Sequence, residues 1–311
     1  MSWLTLALLC AAPPREPVIY VSNEKSNSIT VISARTDSVV ATIAVGQRPR
    51  GMALSPDGKT VYVALGLDNA IGVIDVATRT MLKTVPVGTD PELVALSPDG
   101  KVVYVSNEET AHASGVDLAT GRILFSTPVG VEPEGIGVSP DGSKVYVTAE
   151  TSNNVSVLDP RTGSVVRTFD VGHNPRTIAF TRDGRHAWVT AEAGGDVSVV
   201  DVKTDSVLRR FPIGDGKTKP VRVAFAPDGH TAYITEGAGA SVRVIDMQGD
   251  TALARIAVGP RPWGIALSAD GRRLYTADGR ANAVSVIDTA TRTVIATVPA
   301  GERPNDALYV P

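Results

Sequence analysis

The stretch Gly46–Val87, GQRPRGMALSPDGKTVYVALGLDNAIGVIDVATRTMLKTVPV, decides the fold. After a Gly-x-x-Pro step come short runs in which β-branched and aromatic residues alternate with small or polar ones. Gly, Pro, Asp and Asn punctuate the runs, the pattern of four short strands joined by tight turns. Ser55-Pro56-Asp57-Gly58 suits a type I turn, since proline presets the backbone at the second position and glycine relaxes the last. Asn69 stands where the chain can turn left-handed at low cost to Asn. The third run closes on Asp75-x-x-Thr78, whose side chains can cap amides of the next hairpin.

The same text recurs along nearly the whole chain. Turn aspartates fall at Asp57, Asp99, Asp141, Asp183, Asp228 and Asp270, in steps of 42, 42, 42, 45 and 42 residues. Five positions after each stands an aromatic residue: Tyr62, Tyr104, Tyr146, Trp188, Tyr233 and Tyr275. Asn27, Asn153 and Asn282 repeat Asn69. Gly-x-x-Pro steps at Gly46, Gly88, Gly130, Gly172, Gly259 and Gly301, with an expanded Gly214 to Pro220, count seven units. Sheets repeated at this period can hide their faces only against copies of themselves. The chain starts with three strands (18–45) and ends with one (303–311), and these fragments complement each other. The expected fold is therefore all-β: a seven-bladed β-propeller of four-stranded antiparallel blades, closed by the C-terminal strand joining the N-terminal blade. One domain then spans 18–311, with an insertion at 214–220 and a linker at 13–17 before it. Small residues four positions after each Pro, such as Ala53, Gly137 and Ala266, suit crowding near the axis. Leu308 breaks that rule, so the register of the last strand is the least determined.

Charged residues make up 20% of the chain and the net charge is −3, which exerts no long-range pull on polyanions and disfavours nucleic acid as a partner. The only cysteine, Cys10, lies near the N-terminus, so the folded body offers no disulfide, thiolate nucleophile or cysteine metal site. Residues 1–12 carry the apolar run WLTLALLCAA, read as a secretory signal segment too short to span a bilayer. The expected location is periplasmic or secreted, or cytoplasmic if that segment is no signal, and the expected state is a monomer.

The runs VIYVSNEKSNSITVI, ALSPDGKTVYVALG, VYVTAETSNNVSVLD and RPWGIALSADGRRLYTADGRANAVSVIDTAT resemble the YVTN-type seven-bladed propellers. Among these, the chain looks most like exported propellers associated with quinoprotein (pyrroloquinoline quinone, PQQ) alcohol catabolism, over residues 17–311. The resemblance implies the fold and, through it, a dehydrogenase or cytochrome as partner. Its family includes surface-layer and periplasmic binding proteins, while similar propellers serve as lactonases, lyases and the haem d1 domain of nitrite reductases. No catalytic motif carries over, and the haem-binding histidine pattern is absent.

Strand order divides the loops between two faces. Those leading into the first strand and those joining the second to the third share a mouth face. The Ser-Pro-Asp-Gly and Asp-x-x-Thr turns share the opposite, turn face. The turn face is monotonous, whereas the mouth face varies. Around the repeated Pro stand Arg48/Arg50, Asp90/Glu92, Glu132/Glu134, Asn174/Arg176, Lys219/Val221, Arg261/Trp263 and Arg303/Asn305. The neighbouring loops add Glu24, Glu108, Glu150, Glu192, Glu236 and Asp278.

This ring reads as a polar funnel for a small anionic molecule or a protein partner. Arg48, Arg50, Arg176, Arg261 and Arg303 are the anion donors, Glu92, Glu134 and His173 stand among them, and Trp263 offers a stacking surface. On that reading, replacing Arg50 or Arg176 by Ala spares stability and abolishes binding. The plainer alternative pairs these charges across blades at about 0–1 kcal/mol each, with Trp263 as a plug. The loop 214–220, basic at Lys217 and Lys219, reads as a lid, a docking finger or a tolerated insertion. His112 and His173 belong to the mouth face, His186 and His230 to the turn face. No histidine pair has metal-ligand spacing, so no metal and no cofactor are expected. Two rival classes stay open. One is a lactonase or lyase with a divalent ion in the funnel and Glu132, Glu134, Glu150 and His173 as acid or base groups; the other is a DNA-binding propeller.

Overall fold

The computed structural model describes residues 16–311. The signal reading of residues 1–12, and the linker as far as residue 15, lie outside the described residues. Seven four-stranded antiparallel sheets close into a ring. Blades 2 to 7 follow the chain, at 49–86, 91–128, 133–170, 175–212, 220–257 and 262–299. Blade 1 is composite: Pro304–Val310 forms its innermost strand, followed outward by Val18–Asn23, Ser28–Ser33 and Ser38–Ala44. Among the described residues, no helix is long and apolar enough to cross a membrane.

The turn grammar folds as its chemistry dictates. The Gly58 amide donates to the Ser55 carbonyl at 2.9 Å, while Asp57 Oδ1 accepts from Ser55 Oγ and the Lys59 amide. Asn27, Asn69, Asn153 and Asn282 all have φ between 53° and 56°. In the third-strand turns, Asp75 Oδ1 accepts the Thr78 amide at 2.7 Å and Asp288 Oδ1 that of Thr291 at 2.9 Å. The repeated aromatics fill the gaps between blades. Trp188 meets Phe211 and Phe225 edge-on, with centroids 5.2 and 5.5 Å apart.

Closure uses backbone and side chains together. Pro304–Val310 pairs along Val18–Asn23, and the Glu24 and Lys25 amides donate to the carbonyls of Arg303 and Glu302. The Asp306 amide donates to Ser22 Oγ and that of Gly301 to Asn23 Oδ1. Leu308 sits opposite Tyr20 as Ala53 sits opposite Tyr62, so the last strand keeps the common register. The larger side chain packs with the Val31 and Met52 cluster between blades 1 and 2.

Every innermost strand shifts register by one residue just after its proline, for example between Pro49 and Met52 and between Pro262 and Ile265. Such a bulge bends the strand and re-aims the extra residue. Here it turns the post-proline side chain toward the axis, which places the site.

Candidate functional site

Two backbone devices build the mouth. The residue before each repeated proline is left-handed: Arg48, Asp90, Glu132, Asn174, Lys219, Arg261 and Arg303 have φ between 53° and 61°. An L-residue holds that conformation only when its surroundings fix it. The amides of Arg48, Asp90, Asn174 and Arg303 donate at 2.8–3.0 Å to Oδ1 of Asn27, Asn69, Asn153 and Asn282, each 21 residues earlier in the preceding blade. Their carbonyls accept amides from the loop after the second strand, as Arg48 does from Gly66 and Asn174 from Glu192. The second device, the bulge, brings Arg50, Glu92, Glu134, Arg176, Val221, Trp263 and Asn305 to the axis, where all seven line one small cavity.

These side chains pair with one another. Arg50 Nε donates to Glu92 Oε2 at 2.6 Å, and its NH1 reaches Glu24 at 3.1 Å. Arg176 is held by three carboxylates: Glu192 at 2.5 Å, Glu150 at 2.7 Å and Glu134 at 2.9 Å. Glu192 passes the web on to Arg261 at 3.1 Å, two blades away, and Glu24 joins Arg303 at 3.5 Å. Arg48 bonds Asp90, lies 3.0 Å from Glu92 and 3.8 Å from Glu108. One chain of ion pairs therefore runs round the mouth. The cavity at its centre measures about 10 Å³, the room of a single water.

Burial sets the electrostatics. Burial pushes the Glu92 carboxyl well above the ordinary range, against the pull of Arg50 and with Glu134 and Glu108 adding to the push. Glu150 is raised by burial too, Arg176 opposing. The Arg176 guanidinium stays firmly protonated, because Glu134, Glu192 and Glu150 outweigh its desolvation. Trp263 lies between two guanidiniums, with Arg261 4.2 Å and Arg176 5.3 Å from the ring centroid. It fits because Gly279 stands where other blades carry Glu24, Glu108, Glu150 or Glu192. A Cβ on Gly279 would lie 3.0 Å from Trp263 Cδ1 and 3.1 Å from the Pro304 carbonyl.

Several sequence expectations need correction. Arg50 and Arg176 are not spare donors on a solvated rim, since each is buried or nearly so among carboxylates. Removing either would strand buried charge, so its loss is expected to cost stability rather than spare it. Glu236 and Asp278 do not belong to the mouth ring. Both end their second strands, one residue earlier than Glu24, Glu108, Glu150 and Glu192, and a one-residue offset turns a strand side chain to the other side. Glu236 is fully buried against Ser241, Arg243 and Arg255. Asp278 accepts from Thr276 Oγ1, Ser285 Oγ and the Gly259 amide. His173 is exposed beside the web, and its imidazole makes no hydrogen bond among the described residues. Arg303 and Lys219 remain about half exposed, with side-chain exposures of 56% and 51%.

Two channel residues had escaped notice. Arg222 and Asp306 follow the bulge, and their side chains meet across the channel at 3.4 Å. Their place just beyond the varied pair was the available signal. Oxygens of Asp90, Glu92 and Glu108 come within 4.8 Å of one another, a spacing that suits a cation. Arg48 already supplies positive charge to all three, so a metal there would have to displace its guanidinium. The loop ahead of blade 6 lies over blade 5, its Gly216 carbonyl pressed on Gly195.

A closed ring of seven blades with a charged, self-paired mouth defines the class as a seven-bladed β-propeller. Residues 4–105 and 98–183 match the YNCE-like beta-propeller profile, and the chain belongs to that family. Residues 164–297 match a second profile, the lactonase, 7-bladed beta-propeller. The resemblance seen in the sequence thus holds for propeller families, and these two profiles add no support for an association with quinoprotein alcohol catabolism. No curated protein matches the chain. Among solved structures, it is similar to Kuenenia stuttgartiensis hydrazine synthase, with 26% identity over 88% of this chain and 92% of that one and a TM-score of 0.80. A candidate 6-phosphogluconolactonase of Bacteroides fragilis shares the fold at 16% identity and a TM-score of 0.82, covering 97% of this chain and 100% of that one. The dihydro-heme d1 dehydrogenase NirN, solved with DHE, aligns at 16% identity and a TM-score of 0.70, over 94% of this chain and 66% of that one.

Proposed function

We propose that this chain is an exported, monomeric binding or accessory protein whose mouth face receives an anionic group of a partner protein, across the channel rather than inside it. One observation carries this reading: the ion-pair web closes the axis down to a cavity of about 10 Å³, which leaves a small substrate no seat there. The most exposed charges of the mouth face stand at the edge of the web, basic ones prevailing on one side. Exposed Lys25, Lys217, Lys219, Arg280 and Arg303 stand on the mouth loops belonging to blades 6, 7 and 1, outnumbering exposed Asp215 and Glu302 there. Exposed Glu109 and Glu132 lie over blades 3 and 4, near the exposed apolar side chains of Leu67 and Val131. Complementary fields of this kind orient a partner and speed its capture. In the setting implied by the sequence resemblance, the partner is a dehydrogenase or cytochrome of periplasmic quinoprotein oxidation.

Titration with poly-glutamate at low and at physiological salt tests the proposal. Binding should fall with salt and vanish in the triple variant Lys217→Glu, Lys219→Glu, Arg303→Glu, while thermal unfolding stays unchanged. A second reading, a lactonase, is favoured by the profile match over 164–297. Hydrolysis of glucono-δ-lactone that disappears in Glu134→Gln would replace the binding reading with it. Tight retention of DNA at low salt, unaffected by the triple variant, would point to the third class.

A further inference from the structure

Six blades carry the Ser-Pro-Asp-Gly turn or a variant of it on the turn face, and among their five facing pairs the packing breaks at one. Blade 7 also lacks the proline, having Ala269, but it faces composite blade 1, which has no such turn and likewise leaves Gly58 uncovered. In the regular turns, the proline of one blade lies against the glycine of the next. A Cβ on Gly100, Gly142 or Gly271 would lie 2.9, 2.9 or 2.7 Å from a ring carbon of Pro56, Pro98 or Pro227. Blade 5 has Arg182 where that proline belongs, and Gly229 of blade 6 consequently has nothing within 4 Å of its Cβ position. A cavity of about 340 Å³ opens there between the two blades. Phe225 and Met247 supply its apolar wall, and Arg182, His186 and His230 stand at its rim. The Phe225 ring is held edge-on by buried Trp188 at 5.5 Å, so this wall is set before any ligand arrives.

The rim carries three donor side chains against one lining carboxylate, Asp183, whose Oδ2 faces Arg185 at 3.9 Å. Arg182 makes no ion pair or hydrogen bond among the described residues, and the two imidazoles add ring N–H groups. The nearby carboxylates are occupied within their own turns. Asp183 Oδ1 accepts from Thr181 Oγ1 at 2.6 Å and the Arg185 amide at 3.1 Å. Asp228 accepts from the His230 and Thr231 amides and from Thr231 Oγ1, all within 2.9 Å. An apolar wall beside uncommitted cationic and N–H donors selects an amphiphilic anion. The volume lies at the low end of the range that holds small organic ligands, roughly 300–1,000 Å³. We propose that the cleft between blades 5 and 6 on the turn face is a binding site for a small aromatic carboxylate. The ring packs on Phe225 and Met247, and the carboxylate is gripped by Arg182 with His186 and His230.

The test is calorimetric titration with 1-naphthoate and with uncharged 1-naphthalenemethanol. The wild-type protein should bind the carboxylate, and bind the alcohol about tenfold more weakly, the value of one charge-assisted contact. Arg182→Pro restores the sister turns, covers Gly229 and should abolish binding of both probes. Should that variant not fold, Arg182→Glu, at an exposed position, should still weaken 1-naphthoate by at least about tenfold. Lys217→Glu on the mouth face should leave binding untouched, which separates this site from the proposed docking face. Equal affinity for acid and alcohol, unchanged binding in both Arg182 variants, or no binding of 1-naphthoate would overturn the assignment.

Discussion

Replacing Asp278 by Asn should make this protein more stable at neutral pH and above, and not in acid. Asp278 is fully buried, and burial raises its carboxyl to about 6 despite hydrogen bonds from Ser285, Thr276 and the Gly259 amide. In the unfolded chain the same group titrates near about 3.9. The native state therefore holds a proton that the unfolded state has released between about pH 4 and pH 6. Its contribution to stability is fully present below about pH 4 and is lost as pH rises through about 6. A gap of about two pKa units corresponds to about 3 kcal/mol once the pH is well above both values. Blade 1 shows the remedy, because Asn23 occupies the equivalent position. Its carbonyl oxygen accepts the Gly301 amide at 3.1 Å while its amide donates to Thr30 Oγ1 at 2.9 Å and Ser28 Oγ at 3.2 Å. In Asp278→Asn the side-chain oxygen can keep the Gly259 amide, and the new NH₂ can donate to Thr276 Oγ1. Urea unfolding of both proteins at several pH values between 4 and 8 measures the difference. The variant should gain about 2–3 kcal/mol at pH 7.5 and almost nothing at pH 4. A variant less stable than wild type at pH 7.5, or a difference that does not change with pH, would refute the argument and mean that the negative charge itself is wanted there.

Arg176→Ala should cost about 3–5 kcal/mol, because it leaves Glu134, Glu150 and Glu192 buried without their shared cation; chemical denaturation checks this, and a loss below about 1 kcal/mol would show the web to be solvated. Gly279→Ala should lower stability by about 1–3 kcal/mol, since the new methyl group meets the Pro304 and Arg261 carbonyls at 3.1 and 3.3 Å, and neither can step aside like a side chain; the measured melting temperature decides. Deleting residues 304–311 removes the innermost strand of blade 1 and should abolish the cooperative unfolding transition seen by circular dichroism, whereas an open ring that still melts sharply would show closure to be dispensable.

The fold was legible because repetition multiplies a weak local signal. Ser-Pro-Asp-Gly, the following aromatic and the left-handed Asn recur in step, and each copy corroborates the others. Even the odd Leu308 keeps the register set by its neighbours. The Asn signal held more than was read from it. Beyond turning the chain, Asn27, Asn69, Asn153 and Asn282 use their side-chain oxygens to fix the left-handed residue 21 positions later, at the entry to the next blade. The mouth was legible only as a set of positions. Counting from the aromatic would have separated Glu236 and Asp278, three residues after Tyr233 and Tyr275, from Glu108 and Glu150, four after Tyr104 and Tyr146. Partner choice was beyond reach, because it depends on which side chains the ring brings together. Glu192 and Arg261 are 69 residues apart and two blades distant, yet they lie 3.1 Å from each other.

The same contrast explains why the two faces carry different kinds of information. At the mouth, every blade brings a different side chain to one crowded axis, and variety there is satisfied internally: Arg50 meets Glu92, and Arg176 meets three carboxylates. Diversity of residues at such a point is as much a requirement of packing unlike charges around an axis as it is a mark of ligand recognition. On the turn face, four of the five facing turn pairs pack proline against glycine, so a departure in the fifth has no compensating partner. Arg182 is such a departure, and the space beside Gly229 is what it leaves. In a repeat ring, an uncompensated break therefore carries more functional weight than a varied position whose charge is already matched.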